Sequence, residues 1–246
     1  LRVVLVMGGL LTPEGLAGVM ETTWPPAHSF VEGPWRLRDG QGGGQRVSAT
    51  TAEGAWTEAD LLQAETAMTA LGQKHLFLIR AGDAALDAAL DARGYRINDP
   101  VVAYAAPAED LAQPVSGMAA FLHWPPLAIA ADIWAAGGIG PARLAVMDRV
   151  SGPKVAILGR TDDTPAGAAF VAVSGPVAML HALEVPVTMR RRGAAAVMMR
   201  AAAGWAVMQG ATTFAVVVTE ANVPARALYA RLGMVEAGRY HYRLRD

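Results

Sequence analysis

The sequence predicts an α/β protein of two tandem halves, each a mixed sheet flanked by helices, and three observations carry that prediction. Short runs rich in β-branched residues alternate with longer stretches of 3.6-residue apolar period, the pattern of strands and helices sharing one layer architecture. Residues 86–95 and 225–234, aligned on Gly94 and Gly233, repeat a helix closed by glycine and one large side chain, and Trp24-Pro25-Pro26 recurs as Trp124-Pro125-Pro126. Between them Ala106 to Val115, with Pro107, Pro114 and two acids, reads as a boundary, so the halves are expected at 1–110 and 111–246.

The bulk numbers agree with a folded protein. Of 246 residues, 53% are hydrophobic, ample for a core, and mean hydropathy is +0.27. No uninterrupted apolar run reaches the roughly 18 residues of a membrane span, so no membrane partner is expected. Leu1 to Leu11 is apolar but lacks a basic leader and runs into a helix start, so it is not read as a signal peptide. Because residue 1 is Leu and Met7 offers a start, residues 1–6 are read as an extension or tag. The absence of cysteine removes disulfides, thiolate metal sites and a cysteine nucleophile, and fits a cytoplasmic protein. The five histidines are scattered without paired spacing, so no metal is expected. Residues 1–116 carry 8 Lys+Arg against 14 Asp+Glu, and the remainder 13 against 8. The positive C-terminal half suits a polyanionic small molecule, and its excess is too small for a nucleic-acid partner.

Taken in order, Thr12-Pro13-Glu14 is N-cap, first position and first-turn acid of a helix to about Glu21, stopped by Trp24-Pro25-Pro26. Trp35 to Arg38 and Gln45 to Thr51 are expected as strands of a hairpin joined through Asp39-Gly40-Gln41-Gly42-Gly43-Gly44; no helix and no Lys-Ser/Thr follows, which argues against a phosphate loop. Thr57 to Leu71 is a helix ended by Gly72, His75 to Arg80 a strand, Asp83 to Arg93 a helix, Val101 to Ala105 a strand. Helices at 127–134 and 141–150 follow, then strands at 154–160, 168–174 and 178–185. A helix beginning at Ala194 places Ala194, Val197, Met198, Ala201, Trp205 and Met208 on one face and ends at Gly210. Phe214 to Thr219 is a strand, Asn222 caps a last helix with Pro224 in its first turn, and Arg239 to Leu244 is the final strand.

The stretch Leu183 to Ala195 organises the chemistry. A strand runs into Arg190-Arg191-Arg192-Gly193-Ala194-Ala195, a helix start stripped of side-chain bulk, where backbone N–H groups and the helix dipole can hold an anion such as a pyrophosphate. The three arginines add charge and N–H forks.

Arg190, Gly193 and Ala195 resemble the Arg/Gln-x-x-Gly-x-Gly/Ala signature of the Gcn5-related N-acetyltransferases, and Asn222-x-x-Ala225-x-x-x-Tyr229-x-x-x-Gly233-Met234 resembles that family's second signature. The resemblance implies two acyl-CoA N-acyltransferase domains in tandem. The first is degenerate, since Leu90 stands where the second has Tyr229 and no Arg-x-x-Gly-x-Ala precedes its first helix. It implies acetyl-CoA as cosubstrate, held by Leu183, Glu184 and Val185 along the pantetheine arm, by Arg190, Arg191, Arg192, Gly193, Ala194 and Ala195 at the pyrophosphate, and by Asn222, Ala225 and Tyr229 on the last helix. It also implies acetyl transfer to a small-molecule or peptide amine by direct attack, in a monomer or homodimer. The alternatives are a non-catalytic CoA-binding or sensing module, or transfer of a longer acyl group.

Tyr229 is the expected proton donor to the departing thiolate, as the family implies. His181 is the expected proton acceptor: Leu180-His181-Ala182-Leu183-Glu184-Val185 resembles the Leu-His-Ala-Leu-Ala-Val strand of arylalkylamine N-acetyltransferases, and a ring pKa near roughly 6.5 suits a base. Strand alternation puts Met179, His181, Leu183 and Val185 on one face and Glu184 on the other, where an ion pair is expected. His123, Trp124, Trp134, Tyr240 and Tyr242 are candidates for the acceptor pocket.

Overall fold

The computed structural model describes residues 11–246; the apolar opening segment and the extension read at 1–6 lie outside the described residues. Helix α1 (Pro13–Thr23) is capped by Thr12, whose hydroxyl accepts from Gly15 N at 3.0 Å. Strands β1 (His28–Glu32), β2 (Trp35–Asp39) and β3 (Thr51–Ala52) form an antiparallel three-stranded sheet. Helix α2 (Glu58–Ala70), β4 (His75–Arg80), α3 (Ala84–Ala92) and β5 (Arg96–Pro107) complete the first half.

After the short α4 (Ala108–Leu111), the second half runs β6 (Ala120–His123), α5 (Ala128–Ala136), α6 (Pro141–Arg149), β7 (Lys154–Thr161), β8 (Thr164–Ser174) and β9 (Val177–Glu184). It ends with α7 (Ala194–Met208), β10 (Thr213–Thr219), α8 (Val223–Arg231) and β11 (Val235–Arg245).

One eight-stranded sheet, in the order β4-β11-β5-β10-β9-β8-β7-β6, joins both halves. The units β4-α3-β5 and β10-α8-β11 are the repeat expected from their closing glycines, but each has handed its last strand to the other. β5 pairs antiparallel with β10, β11 pairs antiparallel with β4, and the two exchanged strands pair with each other, second and third in the sheet. Arg243 of β11, almost fully buried, fastens the exchange: its guanidinium donates to Asp87 at 2.7 Å and Asp91 at 2.6 Å on α3, and to the Tyr95 carbonyl at 2.9 Å. The Trp-Pro-Pro recurrence is not part of the repeat, because Trp24 follows a helix and precedes β1, whereas Trp124 follows β6 and precedes α5. Both indoles pack instead on Phe170, with ring centroids 6.1 and 5.6 Å away.

One face of the large sheet is covered by α7, with Met198, Met199, Ala202, Ala203 and Ala206 packed on Val155, Ile157, Val171 and Leu180. The buried stripe of α7 is therefore rotated from the expected one, and Met208 is 74% exposed. The opposite face is covered by α1, α5 and α6.

The glycine-rich connection is not a hairpin. Residues 45–47 make a 3-10 turn, and the hairpin partner of β2 is β1, a strand the sequence reading missed. The glycines serve close packing: a Cβ on Gly43 would lie 2.6 Å from Val146 Cγ2 of α6, and one on Gly40 would lie 2.8 Å from the Val47 carbonyl oxygen. Gln73 anchors the loop, accepting from Gly40 N at 3.0 Å and donating to Arg38 O at 2.8 Å.

Candidate functional site

The site is made by two parallel strands that part. β9 and β10 are in register from Val177↔Thr213 to Leu180↔Val216 and no further. Beyond that point Ala182 takes φ +49° and the pairing of β9 with β8 slips between Phe170↔His181 and Ala168↔Glu184, a β-bulge. Trp134, fully buried on α5, donates its indole N–H to the Ala182 carbonyl at 2.8 Å and holds the bulge in place.

The bulge corrects the expected alternation. Leu183 and Val185 pack toward α7, while Met179 and His181 face the opposite side of the sheet, among α1 and the aromatic rings. Glu184 turns toward α5, where a Cβ on Gly137 would come within 2.7 Å of it, and its carboxylate lies 3.7 Å from Arg190.

On the α7 side a cavity of about 530 Å³ opens in the gap between the strands. Leu183, Glu184 and Val185 line it along the strand; Arg190, Arg191, Gly193, Ala194 and Ala195 line it at the turn; Asn222, Ala225 and Tyr229 line it from α8. The predicted set is thus brought together, with two exceptions: Arg192 is not part of the cavity wall, and His181 lies on the other face.

At the turn, Arg191 (φ +65°) and Gly193 (φ +86°) are left-handed, and Gly193 occupies the N-cap of α7 with no side-chain cap. The need for glycine is conformational and not a matter of space, since a Cβ there would meet nothing within 4 Å. The first amides of a 15-residue helix therefore face the cavity without a protein side chain on them. Arg190 is spent partly on structure, donating from Nε to the Val185 carbonyl at 3.0 Å. Asn222 caps α8, accepting from Ala225 N at 3.2 Å. Tyr229 is 4% exposed, and burial, helped by the neighbouring Tyr104, pushes its phenol up to about 12.

The equivalent place in the first half is filled by the protein itself. β3 continues a parallel bridge, Thr50↔Phe77, with β4, just as β9 adjoins β10. But α2 begins with a capping box, in which Thr57 Oγ1 accepts from Asp60 N and the Asp60 carboxylate accepts from Thr57 N at 2.7 Å. A carboxylate thus stands where an anion would bind.

On the far face of the gap lies a second cavity, of about 270 Å³. Val217, Val218 and Thr219 of β10, His181 and Ala182 of β9, and Tyr240 and Tyr242 of β11 contribute to its walls. Of the residues expected at an acceptor pocket, Tyr240 and Tyr242 are there; Trp134 is in the core, Trp124 packs on Phe170 under Lys154, and His123 accepts from Leu127 N at 2.8 Å. Trp24, Arg46, Asp99 and Arg143 line the cavity and were missed. The one sequence signal for them was an arginine set one residue beyond the glycine run.

His181 is buried, with 5% of its surface exposed. Its Nδ1 is 2.9 Å from Arg46 Nη1 and its Nε2 2.9 Å from Thr23 Oγ1. A guanidinium can only donate, so Nδ1 is the acceptor and Nε2 carries the hydrogen given to Thr23, whose hydroxyl donates to Val19 O at 2.7 Å. Burial, and then the charge of Arg46, hold the ring well below its usual pKa. The lone pair expected to take a proton is already committed.

Two parallel strands that part, with an uncapped helix start at the gap, make an open cleft suited to an anionic ligand. Residues 138–234 match the sequence model of the Acetyltransferase (GNAT) family, and this segment is a GNAT domain. The fold of the whole chain is shared with a GCN5-related N-acetyltransferase from Kribbella flavida (TM-score 0.70, 18% identity, covering 96% of each chain). A conserved protein of unknown function from Staphylococcus epidermidis is also similar (TM-score 0.65, 12% identity, 89% of this chain and 94% of that one). A tandem GNAT protein from the clavulanic acid biosynthesis pathway shares the fold too (TM-score 0.58, 14% identity, 80% of this chain and 72% of that one). At such identities these likenesses speak for the tandem fold alone. No curated protein matches the sequence. Among the described residues no helix is long and apolar enough to cross a membrane, and no cluster of His, Asp and Glu is arranged for a metal.

Proposed function

We propose that this protein is an N-acetyltransferase that moves the acetyl group of acetyl-CoA to the amine of a small molecule or peptide by direct attack, and that only residues 111–246 hold the cosubstrate. The observation that carries this reading is the side-chain-free start of α7 opening, together with Tyr229, onto the gap between β9 and β10. The residues fit the cosubstrate chemically. The amides from Gly193 to Ala195 and the Arg191 guanidinium suit a pyrophosphate, and Leu183 and Val185 suit an extended amide arm beyond the point where β10 leaves β9.

Bound acetyl-CoA would supply an acyl carbon activated as a thioester. The amine, entering from the 270 Å³ cavity, forms the new C–N bond while the C–S bond breaks. Tyr229, kept protonated, gives its hydrogen to the thiolate. Glu184, among the described residues the one carboxylate lining the proposed cofactor cavity, sits on the bulged strand and is the group we assign to receive the amine's proton. His181 in this reading positions Arg46 and does not act as the base.

The test is direct. Acetyl-CoA should raise the melting temperature, and free CoA should appear when an amine panel is added and thiols are assayed. No stabilisation by acetyl-CoA would sink the proposal, whereas stabilisation without CoA release over a broad panel would favour a sensing module. Propionyl- and longer acyl-CoAs assayed alongside would settle chain length.

A further inference from the structure

Resting on that reading, and going beyond it to the substrate class, we propose that the amine acceptor is a small molecule carrying a carboxylate, and that Arg46, delivered by the glycine loop of the first half, is the residue that binds it. Arg46 follows Gly42-Gly43-Gly44 and reaches across to the second half, where it lines the acceptor cavity beside Trp24 and His181. The loop is held where it is by several independent contacts. The glycines pack on α6, and Gln45 donates to Asp99 at 2.6 Å and accepts from Asn98 Nδ2 at 2.8 Å, tying the turn to β5.

The guanidinium is set but not neutralised. Its Nη1 donates to His181, which the chain from His181 to Thr23 to Val19 keeps in the accepting tautomer, and its carbon lies 6.0 Å from the Trp24 ring centre. Its Nε is buried without a hydrogen-bond partner. Among the described residues no carboxylate lies within ion-pair distance of it, although other arginines on this side have one, for example Arg38 with Glu21 at 2.8 Å and Arg80 with Asp83 at 3.0 Å. A guanidinium with no carboxylate partner keeps its charge, and a carboxylate in the cavity that Arg46 lines would meet that charge.

The rest of the cavity agrees. Arg143 lies over Gly44 as a second cation of its wall, so among the described residues two arginines face one acid there, Asp99, one oxygen of which accepts from Gln45. A volume of about 270 Å³ is at the small end for ligand pockets, which suits an amino acid or ω-amino acid better than a folded protein.

The experiment compares amines in matched sets: glycine, β-alanine, 4-aminobutyrate and a set of L-amino acids; their carboxamides; the corresponding alkylamines; and 2-aminoethylphosphonate. Each is assayed by CoA release, and each is tested for binding by saturation-transfer NMR with acetyl-CoA present. At least one carboxylate should exceed its own carboxamide by about 30-fold or more in kcat/KM, the scale on which a buried, charge-assisted hydrogen bond discriminates between ligands. Arg46→Gln should erase that ratio through KM while leaving acetyl-CoA stabilisation intact. Arg46→Lys, which keeps the charge, should retain part of it, and the melting temperature of each variant checks folding. Equal use of amides and carboxylates, or an unchanged ratio in Arg46→Gln, would overturn the proposal with the transferase reading intact. Preference for the phosphonate would reassign the anion and refute the carboxylate. If no amine releases CoA, Arg46-dependent NMR binding of carboxylates over amides still supports the pocket, and its absence refutes it; loss of acetyl-CoA stabilisation instead fails the transferase reading.

Discussion

Trp134 on α5 and Ala182 on β9 are joined by a 2.8 Å hydrogen bond from the indole N–H to the backbone carbonyl, at the one residue of β9 with positive φ. That bond fixes where the strand bulges, and so which residues face each of the two cavities. Trp134→Phe keeps an aromatic ring in the core but leaves a carbonyl unpaired, so it should destabilise the protein by about 1–3 kcal/mol. It should also cost acetyl-transfer activity beyond any loss of folded protein. Denaturant melts and assays of the folded fraction check both, and a variant that is destabilised yet fully active would show that the bulge needs no such pin.

Tyr229 leans on Tyr104 with ring centroids 5.6 Å apart, and Tyr104, held by Arg226 at 3.2 Å, belongs to β5 of the first half. The exchanged strand thus braces the proposed acid. Tyr229→Phe should lower kcat by about 10²-fold with little change in acetyl-CoA stabilisation. Since the phenol is pushed up to about 12, the wild type should show no alkaline loss of activity from this group below about pH 10. Unchanged turnover in Tyr229→Phe would remove it from the chemistry.

That Leu183, Arg190, Gly193, Asn222 and Tyr229 would line one cavity was legible in the sequence because the cavity is built from a few short stretches: one strand, one turn and two helices, each marked by its own spacing. Arg190 and Asn222 are close in sequence to what they touch, Val185 and Ala225. The second cavity, on the far face of the gap, was not legible for the opposite reason. Arg46 meets His181 across 135 positions, and nothing near Arg46 announces that its loop crosses to the other half. Strand exchange was hidden as well, since β5 and β11 have the same apolar pattern whichever neighbour they pair with. Strict alternation places Leu183 on His181's face, but a single left-handed residue, Ala182, resets the period and leaves no trace in composition.

The start of α7 offers a test in which stability and binding move in opposite directions. Ala195→Glu adds an acid to the first turn of a helix with no acid there and no side-chain cap. The dipole should make this neutral or stabilising by about 0.3–1 kcal/mol in the free protein. The same charge would stand where a pyrophosphate is proposed, so stabilisation by acetyl-CoA should be lost. Retained acetyl-CoA stabilisation in Ala195→Glu would move the pyrophosphate away from this turn.

His181 predicts how stability changes with acid. Its ring is held neutral by burial and by Arg46, with Thr23, Trp24 and Phe170 also against it, so its folded pKa lies below the unfolded value near roughly 6.5. Below that value the unfolded chain binds a proton that the folded chain refuses. The stabilising effect is therefore fully present above about pH 6.5 and is lost progressively as the pH falls toward the depressed folded value. His181→Asn, which can still accept from Arg46 through its amide oxygen, should be less stable at about pH 8 because it packs less well, yet should lose less stability between about pH 6.5 and 5 than the wild type. Chemical denaturation across that range measures the difference. Parallel acid losses in the two proteins would mean that His181 protonates freely when folded, which its two hydrogen bonds and the adjacent guanidinium do not permit.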